Sequence, residues 1–211
     1  MKKILLVGGA GFIGHNSAIH FKINNLEVKI IDSLSINNFD YLKSSNLDMK
    51  KIYLSFIDER MKKLNINNIE LIKIDARERS KLRASIERYN PDVIIHFAGV
   101  AHANRSNKDP YTTFDNSFLT LENTLDVAKD IKCHFIYFSS SMVYGNFNNQ
   151  VVTEEHACNP IGIYGALKLG GEKLVIAYNQ VFNMPYTIIR PSALYGERCV
   201  SGRVGQVFIE N

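Results

Sequence analysis

Tyr164 and Lys168 stand four residues apart in Tyr164-Gly-Ala-Leu-Lys168, a spacing that puts a phenol and an ammonium on one face of a helix. A phenol of pKa about 10 is a poor base at neutral pH. A neighbouring ammonium favours the phenolate and lowers that value, and a positively charged ring nearby adds to the effect. Such a pair can take the proton of an alcohol while hydride leaves the same carbon. The helix follows an apolar run ending in Ser139-Ser140-Ser141, where a hydroxyl can hydrogen-bond the reacting oxygen and shuttle its proton. Tyr-x-x-x-Lys recurs often by chance, so its meaning rests on the elements that carry it.

The hydride needs an acceptor, and the first fourteen residues describe a place for one. Lys3 to Val7 is a short apolar run, suited to a buried parallel strand and too short for a helix. Gly8, Gly11 and Gly14 follow at three-residue spacing, and a helical pattern begins inside them with Phe12, Ile13, Ala18, Ile19 and Phe21. The first glycine permits a tight turn, the second lets backbone approach a phosphate, and the third lets the helix pack closely on the strand. The N–H groups and positive dipole at the helix start then face a pyrophosphate. A second apolar run, Val28 to Ile31, ends in Asp32, eighteen residues after Gly14. An acid there can accept both ribose hydroxyls of an adenosine. It also repels a 2′-phosphate, and no Arg follows it, so the expected cofactor is NAD rather than NADP.

The rest of the chain alternates strands with helices. An amphipathic helix is expected between Ser33 and Asn68, with Leu47, Ile52, Phe56, Ile57, Met61 and Leu64 near helical spacing. Ile69 to Ile74 reads as a third strand ending in Asp75, and Arg77 to Tyr89 as a helix stopped by Asn90-Pro91. Asp92 to Phe97 is a fourth strand, breaking into Ala98-Gly99. Thr112 to Asp130 reads as a helix, Cys133 to Phe138 as strand five, Ile161 to Phe182 as a long helix, and Tyr186 to Arg190 as strand six, closed by Pro191. This pattern predicts an α/β fold, a doubly wound parallel sheet of Rossmann type with helices on both faces. Ligands of such sheets lie beyond the carboxyl ends of the strands, where the strand order reverses. The glycine turn, Asp32, Asp75, Phe97 to Gly99, Ser139 to Ser141 and Pro191 all fall at those ends.

Composition excludes several other classes. The 211 residues are 45% hydrophobic and 22% charged, enough core for one domain. The net charge of +4 is scattered, and the densest stretch, Lys43 to Lys63, mixes both signs at helical spacing. That reads as a solvated helix face and not a nucleic-acid patch. No run has transmembrane length, and Met1-Lys-Lys leads straight into a strand, so neither a membrane span nor a signal peptide is expected. Cys133, Cys158 and Cys199 are odd in number and lack metal or redox spacing, which predicts no metal site and suits a reducing cytoplasm.

Taken together, these pieces resemble an extended short-chain dehydrogenase/reductase, of the NAD-dependent epimerase/dehydratase branch that acts on nucleotide sugars. The resemblance is carried by Gly8 to Gly14, Asp32, Asp75-Ala-Arg77, His96-Phe-Ala-Gly99, Ser106 with Asp109-Pro110, Asn116, Phe138 to Gly145, Tyr164 with Lys168, and Arg190-Pro191 with Tyr195-Gly196. It implies Tyr164 as base and Lys168 as the residue that lowers its pKa and holds the nicotinamide ribose. Counting back from Val143 makes Ser140 the catalytic hydroxyl, and counting from Phe138 makes it Ser141. Phe12 and Ile13 would donate N–H groups to the pyrophosphate, with Asp32 and Ser33 at the ribose and Asp75 and Ala76 at the adenine. Phe97, Ala98 and Gly99 would line the cofactor, Asn116 would fix the central helix beside it, and Pro191 and Ser192 would flank the nicotinamide.

Sugar 4,6-dehydratases resembling this chain carry an Asp-Glu pair just after the catalytic Ser/Thr, where this chain has Ser141 and Met142. That leaves C4 epimerisation of a nucleotide-diphosphate sugar through a transient 4-keto sugar as the first expectation, with a ketone reductase of the same family, or an incomplete NAD-binding fragment, as alternatives. Many 4-epimerases bind the diphosphate with an Asn where Ala193 stands here; Arg198 or Arg203 could supply the charge instead. The resemblance divides the chain into a cofactor domain, 1–191, and the start of a substrate lobe, 192–211, which members of the family extend much further. It also implies a homodimer through the helices near Thr112 to Asp130 and Ile161 to Phe182, although Leu169, Leu174, Val175 and Ala177 equally suit a core.

Overall fold

The computed structural model describes residues 1–35, 50–147 and 151–200. Six strands form one parallel sheet in the order β3-β2-β1-β4-β5-β6. They are β1 (Lys3–Val7), β2 (Glu27–Asp32), β3 (Glu70–Lys73), β4 (Val93–His96), β5 (His134–Phe138) and β6 (Tyr186–Ile189). The order reverses between β1 and β4, which lie side by side with Val7 opposite His96. On its other edge β1 pairs β2, with Val7 opposite Ile31.

Strand side chains alternate, and both faces of this sheet are covered. Leu5 and Val7 point to one face, into a core with Ile94, Phe135 and Tyr137 from the sheet. The helices over that face are α3 (Arg79–Tyr89), α6 (Thr120–Ile131) and α7 (Gly162–Phe182). They contribute Leu82 and Ile86, Leu121 and Leu125, and Val175. Ile4 and Leu6 point the other way, toward Ala18 of α1 (Phe12–Ile23) and Leu64 of α2 (Lys50–Ile66). The central strands β1 and β4 therefore read as nearly continuous apolar runs. Val175 is wholly buried and Leu174 packs against the same core, so that pair faces the sheet.

The expected elements are all present, with ends shifted by a residue or two and one interruption. The helix expected over Thr112 to Asp130 is built in three pieces. α4 (Ala103–Lys108) precedes α5 (Pro110–Phe114), which starts on an Asp109 cap whose Oδ1 accepts the Thr112 N–H at 3.0 Å. A single wide π-turn, Asp115–Leu119, then separates α5 from α6. Of the helical run predicted after Asp32, Leu47 lies outside the described residues. The α2 face that meets the core carries Tyr53, Ile57, Arg60 and Leu64, while Ile52 is largely exposed. Arg60 corrects the reading of this helix as simply solvated: its side chain is 1% exposed. A periodicity of apolar residues does not register a guanidinium that finds its acceptors inside.

No helix among the described residues is long and apolar enough to cross a membrane.

Candidate active site

A crevice of about 1340 Å³ opens beyond the carboxyl ends of the strands. Its floor at one end is the turn after β1. Gly8 has φ +77°, and a Cβ there would lie 2.4 Å from the Ala98 nitrogen, so the position requires both left-handed freedom and the absence of a side chain. A Cβ on Gly14 would meet the Gly9 carbonyl oxygen at 2.4 Å, so α1 can approach the turn only without one. A Cβ on Gly11 has no neighbour nearer than 3.7 Å, so the space beside it is open. The first-turn N–H groups of α1, on Phe12, Ile13 and Gly14, lack intrahelical acceptors and face the crevice these residues line.

Asp32 closes this end. Its Oδ2 accepts the Ala10 N–H at 2.9 Å and its Oδ1 the Leu34 N–H at 2.8 Å. Burial pushes its carboxyl above the ordinary range, opposed by those two N–H groups and by the Arg60 guanidinium. Each oxygen keeps a lone pair for a ribose hydroxyl. Ser33 adjoins it on the crevice wall, its hydroxyl hydrogen-bonded to Ser35 at 2.7 Å. Asp75 and Ala76 form the next stretch of wall. The Asp75 carboxylate is bound by the Arg77 guanidinium, which holds it below the usual range, while Asn123 Nδ2 fixes the Ala76 carbonyl at 3.0 Å. A donor set of backbone N–H groups, one acid at a strand end and a glycine cradle suits an adenosine diphosphate.

Phe97, Ala98 and Gly99 leave β4 at the reversal point, with the Phe97 and Ala98 N–H groups donating to the Val7 carbonyl at 2.7 and 3.0 Å. Asn116 sits in the π-turn, 7% exposed, lining the crevice and donating to the Thr112 carbonyl at 2.8 Å. Widened turns of this kind are frequent beside functional sites, because they re-aim one residue without ending the helix.

At the far end, Ser139, Ser140, Ser141, Tyr164, Lys168, Pro191 and Ser192 all line the crevice wall. Ser140 is 8% exposed and its Oγ accepts the Met142 N–H at 3.2 Å, capping a short 3₁₀ turn, Ser141–Tyr144. The Ser141 N–H donates to the Pro191 carbonyl at 3.0 Å, which joins the ends of β5 and β6. Lys168 Nζ donates to the Phe138 carbonyl at 2.6 Å and lies 5.0 Å from the centre of the Tyr137 ring. Burial pushes its ammonium down to about 8, opposed by the Glu172 carboxylate.

The segment after Pro191 crosses from this end to the other. Arg198 reaches α1 and α2: its guanidinium donates to His15 Nε2 at 3.1 Å, Asn16 Oδ1 at 3.0 Å and Glu59 at 3.2 Å, and pairs with Glu197 at 2.7 Å. Its carbonyl accepts the buried Arg60 side chain. Arg203 lies outside the described residues. Arg60, His15 and Glu172 are not singled out by type and spacing, and Arg190 enters only through the Arg190-Pro191 motif, without a role of its own. For Glu172 a signal existed, since it continues the Tyr164–Lys168 face at a further four residues. For Arg60 none did.

The whole chain has counterparts among known proteins. It is 32% identical to a putative UDP-glucose 4-epimerase of Methanocaldococcus jannaschii over 92% of its own length and 57% of that protein's. It is 31% identical to a dTDP-D-glucose 4,6-dehydratase of Dictyostelium discoideum over 99% of its own length and 48% of the relative's. The structure matches the UDP-glucuronic acid 4-epimerase of Bacillus cereus, solved with UDP-glucuronic acid and NAD, at TM-score 0.78 and 28% identity, covering 93% of this chain and 58% of that one. The chain thus spans about half the length of its relatives. Residues 4–210 match the NAD dependent epimerase/dehydratase family. The glycine cradle, the acid at the end of β2 and this match together place the chain in that family of NAD-dependent enzymes.

Proposed function

We propose that this chain carries the chemistry of C4 epimerisation on a nucleotide-diphosphate sugar. The observation that carries the reading is the shared wall of Ser140, Tyr164 and Lys168, followed by Ser141 and Met142 where elimination of water would need carboxylates. The relatives include both an epimerase and a dehydratase, so the composition of that wall is what favours the first.

Tyr164 takes the proton of the sugar C4 hydroxyl, its phenolate favoured by the Lys168 ammonium one helical turn away. Ser140 hydrogen-bonds the same oxygen and holds it as it becomes a carbonyl. NAD, when bound, supplies the acceptor for the C4 hydride and the means of its return to the opposite face. Tyr164 then gives its proton back to the new hydroxyl. Ser141 stands as the alternative hydroxyl. Residues 192–211 belong, in this reading, to the substrate side, with Arg198 and Arg203 as candidates for the diphosphate. Arg198 would have to release some of its present partners to serve there. Pairing of two copies through the outer faces of α6 and α7 belongs to the same reading and is checked by sedimentation.

The test is a denatured extract scanned for released NAD(H), then incubation of the native chain with a panel of nucleotide hexoses. Interconversion of a C4 epimer pair, lost in Tyr164→Phe, is the expected result. A dehydrated keto sugar, or net reduction alone, overturns the epimerase reading. Bound NAD without turnover of any hexose assigns these residues to cofactor binding only. Unchanged substrate affinity in a variant with both Arg198→Ala and Arg203→Ala removes those two from the diphosphate site.

A further inference from the structure

The most completely buried charge near the reacting end, Glu172, is not among the residues that line the crevice. Glu172 lies on α7 one turn beyond Lys168 and is 1% exposed. The Arg190 guanidinium, at the end of β6, grips both of its oxygens: Nε donates to Oε1 at 2.9 Å and Nη2 to Oε2 at 2.7 Å. The Ser139 hydroxyl, at the end of β5, donates to the same Oε1. Arg190 Nη1 continues to the Tyr144 hydroxyl at 2.8 Å and the Glu154 carbonyl at 3.0 Å. One carboxylate therefore ties α7 to the ends of β5 and β6, and through Arg190 to the turn and loop that border Ser140.

A buried ion pair of this kind is seldom a gain over apolar packing, since desolvation offsets most of the attraction. Its geometry here has a more specific consequence. Tyr164, Lys168 and Glu172 share one helix face, whereas Ser140 hangs from β5. The distance between phenol and hydroxyl depends on how α7 is docked against that strand end. We propose that Glu172, clamped by Arg190, is a positioning residue that sets the Ser140-to-Tyr164 spacing and keeps Lys168 in its ammonium form.

The second part follows from the groups around Lys168. His96 of β4 and Tyr137 of β5 lie against it from the sheet, and Tyr164 and Glu172 flank it on α7. His96 is buried and neutral, held down to about 3 by burial, and burial pushes the Tyr137 phenol far up, so neither offers charge. Glu172 is the carboxylate that opposes the burial of the ammonium.

The kinetic part of the test rests on the epimerase reading; the spectroscopic part does not. In the purified chain, the Lys168 Cε resonance is followed by NMR against pH and assigned by its loss in Lys168→Arg. Glu172→Gln keeps the shape and one acceptor oxygen, gives up one of the two Arg190 hydrogen bonds and removes the charge, and should move the Lys168 midpoint down by about one unit, a tenfold fall in the ammonium-to-amine ratio. If the lone Arg190 charge prevents folding, the double variant Glu172→Gln, Arg190→Gln removes it, and the same direction is expected. A folded variant with the Lys168 midpoint unmoved overturns the proposal, whether or not any sugar is turned over. Where epimerisation is measured, kcat should fall with KM little changed, and the alkaline limb of the pH profile should move to lower pH. A uniform loss at every pH with the limb in place marks Glu172 as packing alone and rejects the role.

Discussion

At the Gly8–Gly14 end of the crevice the ligand-facing groups are backbone N–H groups presented by one contiguous turn. At the Ser140–Tyr164 end they are side chains from separate elements, joined through the Glu172–Arg190 pair. The first end is built around the glycines and the start of α1, with Asp32 tied to the same turn through the Ala10 N–H. The second is assembled across 33 positions of sequence between Ser139 and Glu172 and depends on how two strand ends and a helix dock. The contrast teaches where binding and chemistry separate: damage to the turn should abolish cofactor binding, and damage to the network should leave binding and impair reaction.

The sharpest separation is expected from Tyr164→Phe. Loss of the proposed general base should lower turnover by about 10²- to 10⁴-fold, while NAD affinity by titration stays within a few-fold. A comparable loss of affinity would merge the two ends into one unit. Next in size is Glu172→Ala, which strands the partly buried Arg190 guanidinium. It should lower unfolding free energy by about 3 kcal/mol in a urea titration; a change below about 1 kcal/mol would show the pair to be as weak as a surface one.

Gly8→Ala attacks the other end. The left-handed φ and the contact with Ala98 should cost about 2 kcal/mol and prevent NAD from being retained, with the Lys168 midpoint unmoved. The smallest effect involves both ends at once. Burial pushes His15, beneath the glycine turn, down to about 4, and His96, between β4 and Tyr137, down to about 3. The unfolded chain takes up these protons as pH falls below 6.5 and the folded chain does not, so their contribution is present above pH 6.5 and is lost on acidification toward 4 and 3. Between pH 7 and 6 the two together should lower stability by about 1 kcal/mol. Among the described residues neither ring nitrogen of His96 has a hydrogen-bond partner. His96→Phe should therefore remove its half of the pH slope without a large loss at pH 7.

Much of the fold was legible because its signals are local. Apolar runs bounded by Gly, Asn-Pro or Asp mark parallel strands, and helical periodicity marks the connections. The interruption at Asn116 was not legible: a π-turn keeps the same residues in a helix-like pattern and changes one hydrogen-bond register. One charge of α2 escapes its sequence pattern for a related reason. Most of its charged side chains follow the solvated reading, but Arg60 turns inward because the Arg198 carbonyl, 138 positions away, accepts it.

The sequence alone determined the strand–turn–helix of the cofactor site, Asp32 at the end of β2 and the Tyr164–Lys168 face. Each of these is specified by backbone sterics, strand alternation or helical pitch over a few residues. Only the tertiary structure decided that Arg198 engages α1 and α2, that Arg60 and His96 are buried, and that Glu172 meets Arg190 and Ser139. Those contacts join residues whose separation along the chain carries no periodic signal. They arise from the docking of whole elements onto the sheet, where burial makes an unpartnered charge too costly to leave alone.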